Sequence, residues 1–543
     1  MKVRINDAEY NYPEKISLEE IAKDFEGTFY CARVNNRIRE LTYKLEVEDA
    51  DVSLLSSSDY DSIRIYEASL RYIVAMAVSR LWPKKNIRFS NSISLSIYAK
   101  MVGEEISEKD LKKLEKEVQK IVDASIPIER KKYSINEMNS YYKELGYYDK
   151  IETLKYRKES VNVYECDGYR NYMYSYMVPN TSYIKSFKFT LTPPGFIVQY
   201  PRSESTGKIP KFKDEPRFLK TLAQANDWSA NTQSENIYQI NDKFDDPDEL
   251  IKFLGVCETR ISHQLHEIGD KVEDNIDTIR LIAIAGPSSS GKTTFSKRLE
   301  IELMSRNIHP IRISLDNYYL PASKVPKDKH GNPDFEDIRA LKIKEFNKNM
   351  EDFIHGKDVR IPIFDFHTKE SKLSEPMRLK KDGVIIIEGI HALNDLMTQS
   401  IAKERVFKIY IAPLAQRNID NHNPISLTDQ RLVRRIVRDM NFRSTPPEET
   451  LSMWKSVRRG EYKWIYPTME NADYIFNSEL GYELPVLKKY AVKSLKEIPN
   501  DSPYYIQANK LLKFLKVFRS IPDDAVPNYS IIREFIGGSI FEE

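Results

Sequence analysis

At 543 residues the chain is long enough for several domains, and with 41% hydrophobic and 30% charged residues it is ordinary globular material rather than a disordered or fibrous sequence. Lysine and arginine total 83 against 81 acidic residues, so no global field draws it onto nucleic acid or an anionic membrane, and any basic site must be local. Three scattered cysteines, Cys31, Cys166 and Cys257, suit neither a disulfide framework nor a cysteine zinc site and point to a reducing compartment.

The first residues, MKVRINDAEYNYP, alternate polar and apolar without a signal-peptide hydrophobic region, and no later run reaches membrane-spanning length; the expectation is a cytoplasmic protein with no membrane partner. Residues 1–62 read as short strands around one helix that is capped at Ser17, with Glu20 three residues on. An amphipathic helix follows from about Ile63 and stops at Pro83. A second helix carries Leu111, Leu114, Val118 and Ile121 opposite its charges. Tyrosine-rich strands lead to a PPG turn at 193–195, the stretch 201–216 reads as a linker, and 216–272 as polar helices. From 273 to 495 the apolar segments LIAIAG, PIRISL, GVIIIEG, RVFKIYIA and ADYIFN alternate with helical runs. This is the pattern of an α/β fold with a mainly parallel sheet and helices on both faces, preceded by α+β material and followed by a helical tail over 496–543.

Within LIAIAGPSSSGKTTFSKRLEIEL, Gly286, Gly291, Lys292 and Thr293 satisfy GxxxxGK[ST], with a strand before and a helix after. Glycine lets the backbone wrap phosphate oxygens, and the helix start offers unpaired N–H groups and a positive dipole end. Lys292 supplies a point charge for the β and γ phosphates, and Thr293 a hydroxyl for magnesium. ISLDNYY places Asp316 at the carboxyl edge of the sheet, where a carboxylate can accept the proton of an attacking hydroxyl. VIIIEG ends a buried strand on Glu388, suited to a second magnesium-directed carboxylate. In QRLVRRIVRDMNFR the spacing puts Arg431, Arg434, Arg435 and Arg438 on one helical face, and the expectation is that this face meets the nucleotide's phosphates across a lid.

These motifs, in this order, resemble the uridine kinase and phosphoribulokinase family of P-loop kinases over residues 279–480. The resemblance implies an ATP- and Mg2+-dependent nucleoside kinase. Asp316 would be the base, Thr293 and Glu388 would hold the metal, and Lys292 and Arg438 would neutralise the transferring phosphate. Gly286, Ser288, Ser289, Ser290, Gly291, Thr294 and Arg443 would bind ATP, and Tyr319, Glu336, Phe364 and Arg435 would contact the nucleoside. Where uridine kinases read YDFxxH, this chain has Phe364, Asp365 and Phe366, then His367 and Lys369, so the phenol and imidazole are missing. The lid reads NFRST, with Arg443 as its one clear match.

RVNNRIRELTYKLEVEDADVSLL (residues 33–55) resembles the TGS domain of threonyl-tRNA synthetases, and SLRYIVAMAVSRLWP the helix opening their editing domain. That resemblance implies a TGS-like unit over 1–62, an editing-like unit over 63–215 and a helical linker over 216–272. Ala68, Tyr72, Met173 and Met177 stand where that family carries histidines and a Cys/His pair, so hydrolytic chemistry and zinc are not expected. The alternatives are phosphorylation of another small alcohol and an RNA-binding protein with a nucleotide-driven switch; a tRNA-like ligand and a homo-oligomer stay open.

Overall fold

The computed structural model describes residues 1–6, 8–157, 159–328, 331–365, 370–414 and 416–541. Near the N-terminus, Lys2–Ile5 pairs in parallel with Ala50–Ser56 at the middle of a five-stranded sheet. Helix Leu18–Ala22 lies on it, entered through the expected capping box: Ser17 accepts from the Glu20 N–H and Glu20 accepts from the Ser17 N–H. Val3, Ile5, Leu18, Ile21 and Val52 form its core. Helix Tyr60–Leu81 is buried along most of its length, with an unbroken apolar run from Tyr72 to Val78, and the amphipathic helix Glu108–Asp123 packs on it through Leu111, Leu114, Val118 and Ile121.

The last half holds a five-stranded, all-parallel sheet: β1 Leu281–Ala285, β2 His309–Ser314, β3 Gly383–Glu388, β4 Val406–Ala412 and β5 Tyr474–Asn477, in spatial order β2-β3-β1-β4-β5. Every residue of β1 and β3 is buried, as a strand covered on both faces requires. Helix α1, Lys292–Ser305, returns from β1, and α2, Leu427–Phe442, carries the arginines. The long helix Pro247–Glu273 backs α1 through a buried ion pair, Arg298 Nη1 to Glu258 Oε2 at 3.2 Å. No helix among the described residues is long and apolar enough to cross a membrane.

The two halves interlock through a polar loop just ahead of α2. Lys150 Nζ donates to Asp420 Oδ1 at 2.9 Å, both side chains being almost wholly excluded from solvent. His422 lies between Asn171 Nδ2 and Asn86 Oδ1, each at 2.9 Å, and the Asn421 N–H donates to Asp149 Oδ2 at 2.8 Å. A polar network this deep is stable only when its members are mutually satisfied, which makes the loop a specific plug rather than a sliding contact. It docks beside the two arms that carry Tyr72 and Met173: Arg71 donates to the His422 carbonyl, and the Tyr174 N–H donates to Asn423 Oδ1. Tyr72 is buried with its hydroxyl donating to the Tyr169 carbonyl at 2.7 Å, Ala68 lies in the same core, and Met177 Sδ accepts from Ser69 Oγ.

Candidate active site

The phosphate loop leaves β1 at Ala285 and enters α1 at Lys292. Gly286 is required by close approach, since a Cβ there would lie 2.0 Å from the Ile411 carbonyl oxygen; Gly291 is required by its φ of +89°. Lys292 Nζ donates to the Gly286 and Pro287 carbonyls at 3.0 and 3.2 Å, curling back over the loop it serves. Burial lowers its pKa against the opposing charges of Glu388, Glu534 and Asp316. The hydroxyls of Ser289 and Ser290 are buried without a hydrogen-bond partner, which fits a loop shaped for an anion. Thr293 follows at the first turn of α1, and the Thr294 N–H, buried, donates to Glu534 Oε2 at 3.2 Å.

The two carboxylates come from adjacent strand ends. Ser314 pairs in register with Glu388, and the turn after Ser314, braced by the Asp316 N–H donating to Ser314 Oγ at 3.3 Å, presents Asp316. Burial, then the neighbouring Asp316 charge, pushes the Glu388 carboxyl up to about 7, against Lys292 and a hydrogen bond from Ser314. Thr293 in the first turn of α1 and Glu388 at the end of β3 offer oxygen donors, the chemistry a hard divalent cation takes, so these two residue types fit magnesium.

Beyond Asp316 lie the remaining residues that the sequence singles out. Tyr319 donates to the Phe335 carbonyl at 3.1 Å, and the Phe364 N–H donates to Asn317 Oδ1 at 3.0 Å, holding strand Pro362–Asp365 against the Asp316 turn. Burial, then the Glu461 charge, pushes the Glu336 carboxyl up to about 7, opposed by Arg435. Phe366, His367 and Lys369 lie outside the described residues.

The arginine helix divides, and here the sequence expectation is corrected. Arg431 and Arg434 do not face a ligand. Arg431 pairs with buried Glu461 and donates to the Ser288 carbonyl; Arg434, fully buried, pairs with Glu483 and donates to the carbonyls of Ser289 and Ser478. They brace the phosphate loop from behind. The reason is that Glu461 and Glu483 reach the helix from distant segments and neutralise these two guanidiniums, which spacing alone does not reveal. Arg435 donates to Ser288 Oγ at 3.0 Å and pairs through Nε with Asp439 Oδ2 at 3.2 Å, and Arg438 pairs with the same Asp439, so these two are neutralised by a carboxylate of their own helix. Arg443 caps the helix, its pKa lowered by the Arg438 charge and then by burial.

Three groups escaped the motif reading. His391, three residues past Glu388, is buried with its ring 6.0 Å from that of Trp464, and burial lowers its pKa to about 4. A Cβ on Gly460 would lie 2.4 Å from Glu336 Cβ, so that glycine makes room for the carboxylate. Glu534, in the C-terminal tail, reaches the phosphate loop itself. The string EGIH held a signal for His391; nothing local marks the other two.

The profile of the Phosphoribulokinase / Uridine kinase family matches residues 281–481. A uridine kinase from Ureaplasma parvum serovar 3 is 28% identical over 194 residues, 36% of this chain and 85% of that protein. Uridine-cytidine kinase B of Dictyostelium discoideum is 30% identical over 196 residues, 36% of this chain and 73% of that protein. A threonine–tRNA ligase from Carboxydothermus hydrogenoformans is 30% identical over 190 residues, 34% of this chain and 30% of that enzyme.

Proposed function

We propose that this chain, which belongs through residues 281–481 to the Phosphoribulokinase / Uridine kinase family, transfers the γ-phosphate of ATP to the 5′-hydroxyl of a nucleoside. The observation that carries the reading is the convergence of the phosphate loop, Asp316 and Glu388 at adjacent carboxyl ends of one parallel sheet. Gly286, Ser288, Ser289, Ser290, Gly291, Lys292, Thr293 and Thr294 cradle the phosphates, with Arg443 at the lid. Magnesium, held by Thr293 and Glu388, would supply charge neutralisation on the phosphate oxygens. Asp316 accepts the proton of the attacking hydroxyl, and Lys292 and Arg438 offset the charge that develops on the transferred group. Tyr319, Glu336, Phe364 and Arg435 hold the acceptor, Glu336 being suited to paired sugar hydroxyls.

The first half serves, in this proposal, as TGS-like and editing-like scaffolding whose hydrolytic chemistry is gone. Ala68, Tyr72, Met173 and Met177 supply no imidazole or thiolate, and the Asp420–Asn423 loop ties this half to the segment leading into α2.

The test is a panel of nucleosides with ATP and magnesium, reading ADP release, on the wild-type chain and Asp316→Asn. The amide keeps the shape and loses the proton acceptor, so turnover should fall about 10²- to 10⁴-fold with ATP affinity retained. A variant that keeps half the wild-type rate removes Asp316 from the chemistry.

A further inference from the structure

The tail of the chain covers part of the phosphate loop, and the proposed chemistry does not use it. Ile531, Ile532 and Phe535 are fully buried, and a Cβ on Gly291 would lie 2.5 Å from Ile531 Cγ2, so tail and loop are in direct contact. Glu534, also buried, accepts the Thr294 N–H through Oε2 at 3.2 Å. That amide is one of the donors that the first turn of α1 leaves without a helical partner, a group of the kind that binds anions at helix starts. The Glu534 charge also acts on Lys292 and Glu388, so it lies near both.

Several contacts hold the segment there. Asn441 Nδ2 donates to the Phe535 carbonyl at 3.0 Å, Tyr482 and Ser530 hydroxyls lie 2.9 Å apart, and the Arg434 guanidinium stands 5.3 Å from the Phe535 ring centre. The tail therefore bridges α1 and the end of the arginine helix.

We propose that Glu534 is a built-in competitor for the nucleotide: its carboxylate and a nucleotide phosphate claim the same Thr294 N–H, so ATP binds by displacing the tail at residues 530–536. A single amide proton serves one strong acceptor, and two anions placed at it repel each other. Affinity for ATP is then reduced by the fraction of molecules whose tail is docked.

The proposal rests on the nucleotide-site reading, so its test is run without any acceptor. Glu534→Gln in the full chain keeps volume and an acceptor oxygen but removes the charge. A charge-assisted hydrogen bond is roughly twice as strong as a neutral one, so calorimetry should show ATP binding tightened by about tenfold. Hydrogen exchange in residues 527–541 of the wild-type chain should rise when ATP is added. Unchanged or weaker ATP binding by Glu534→Gln, or slower exchange in the tail with ATP, overturns the competitor. If both proteins bind ATP with equal affinity, the competitor fails and the nucleotide site stands; if neither binds ATP, both readings fall.

Discussion

Arg434 separates a brace from a ligand. Its Nε donates to Glu483 Oε1 at 2.9 Å, its Nη2 donates to Glu483 Oε2 and to the Ser478 carbonyl, and its Nη1 to the Ser289 carbonyl at 3.3 Å. Among the described residues, Arg434→Leu leaves Glu483 with the Gln430 side-chain amide, at 2.6 Å, and the Leu480 N–H, at 3.1 Å. Breaking a buried pair from one side costs about 3–5 kcal/mol, a large part of the roughly 5–15 kcal/mol that holds a typical domain folded. Urea unfolding followed by tryptophan fluorescence should therefore show a much lower midpoint. Arg438→Leu is the control: among the described residues Arg438 pairs with Asp439, which keeps Arg435 as a second partner, so its loss should cost less stability than Arg434→Leu while lowering turnover. Arg434→Leu combined with Glu483→Leu should recover part of the lost stability, since no uncompensated charge stays buried. An Arg434→Leu protein that unfolds at the wild-type midpoint but binds ATP poorly would refute the brace and restore the phosphate role suggested by the spacing.

Glu388→Gln should abolish turnover and raise stability at neutral pH, because the native carboxyl, held at about 7 against an ordinary 4.5, binds its proton more tightly than in the unfolded chain. The stability that Glu388 contributes is present below about 4.5 and lost as pH rises through 7, and the variant should make that slope shallower in unfolding curves, Glu336 keeping its own share. Gly460→Ala drives a methyl into Glu336, so the acceptor KM should rise with ATP affinity unchanged in steady-state assays; an unaltered acceptor KM would remove Glu336 from the pocket. Lys150→Met strands Asp420 in the interface and should cost about 3–5 kcal/mol, with both halves losing structure in one transition by calorimetry; separate transitions would show that the loop does not couple them.

Local residue chemistry was enough to expose the phosphate loop, because Gly286, Gly291, Lys292 and Thr293 act within one strand–turn–helix unit whose spacing is itself the geometry. The same holds for the Ser17 capping box and for the five apolar strands, each readable from a window of a few residues. Strand ends likewise announced Asp316 and Glu388, although only the register between β2 and β3 set them side by side and made their charges interact. Everything that depended on a partner far away in the chain was decided by tertiary structure. Four arginines at helical spacing look alike in sequence; Glu461 and Glu483, packed in from other segments, turned two of them into buried braces, while the other two pair with Asp439 on their own helix. Glu534 and Thr294 are 240 residues apart, and Lys150 and Asp420 are 270 apart. No local pattern encodes either contact, because a buried charge is stable only where the whole fold delivers its counterpart.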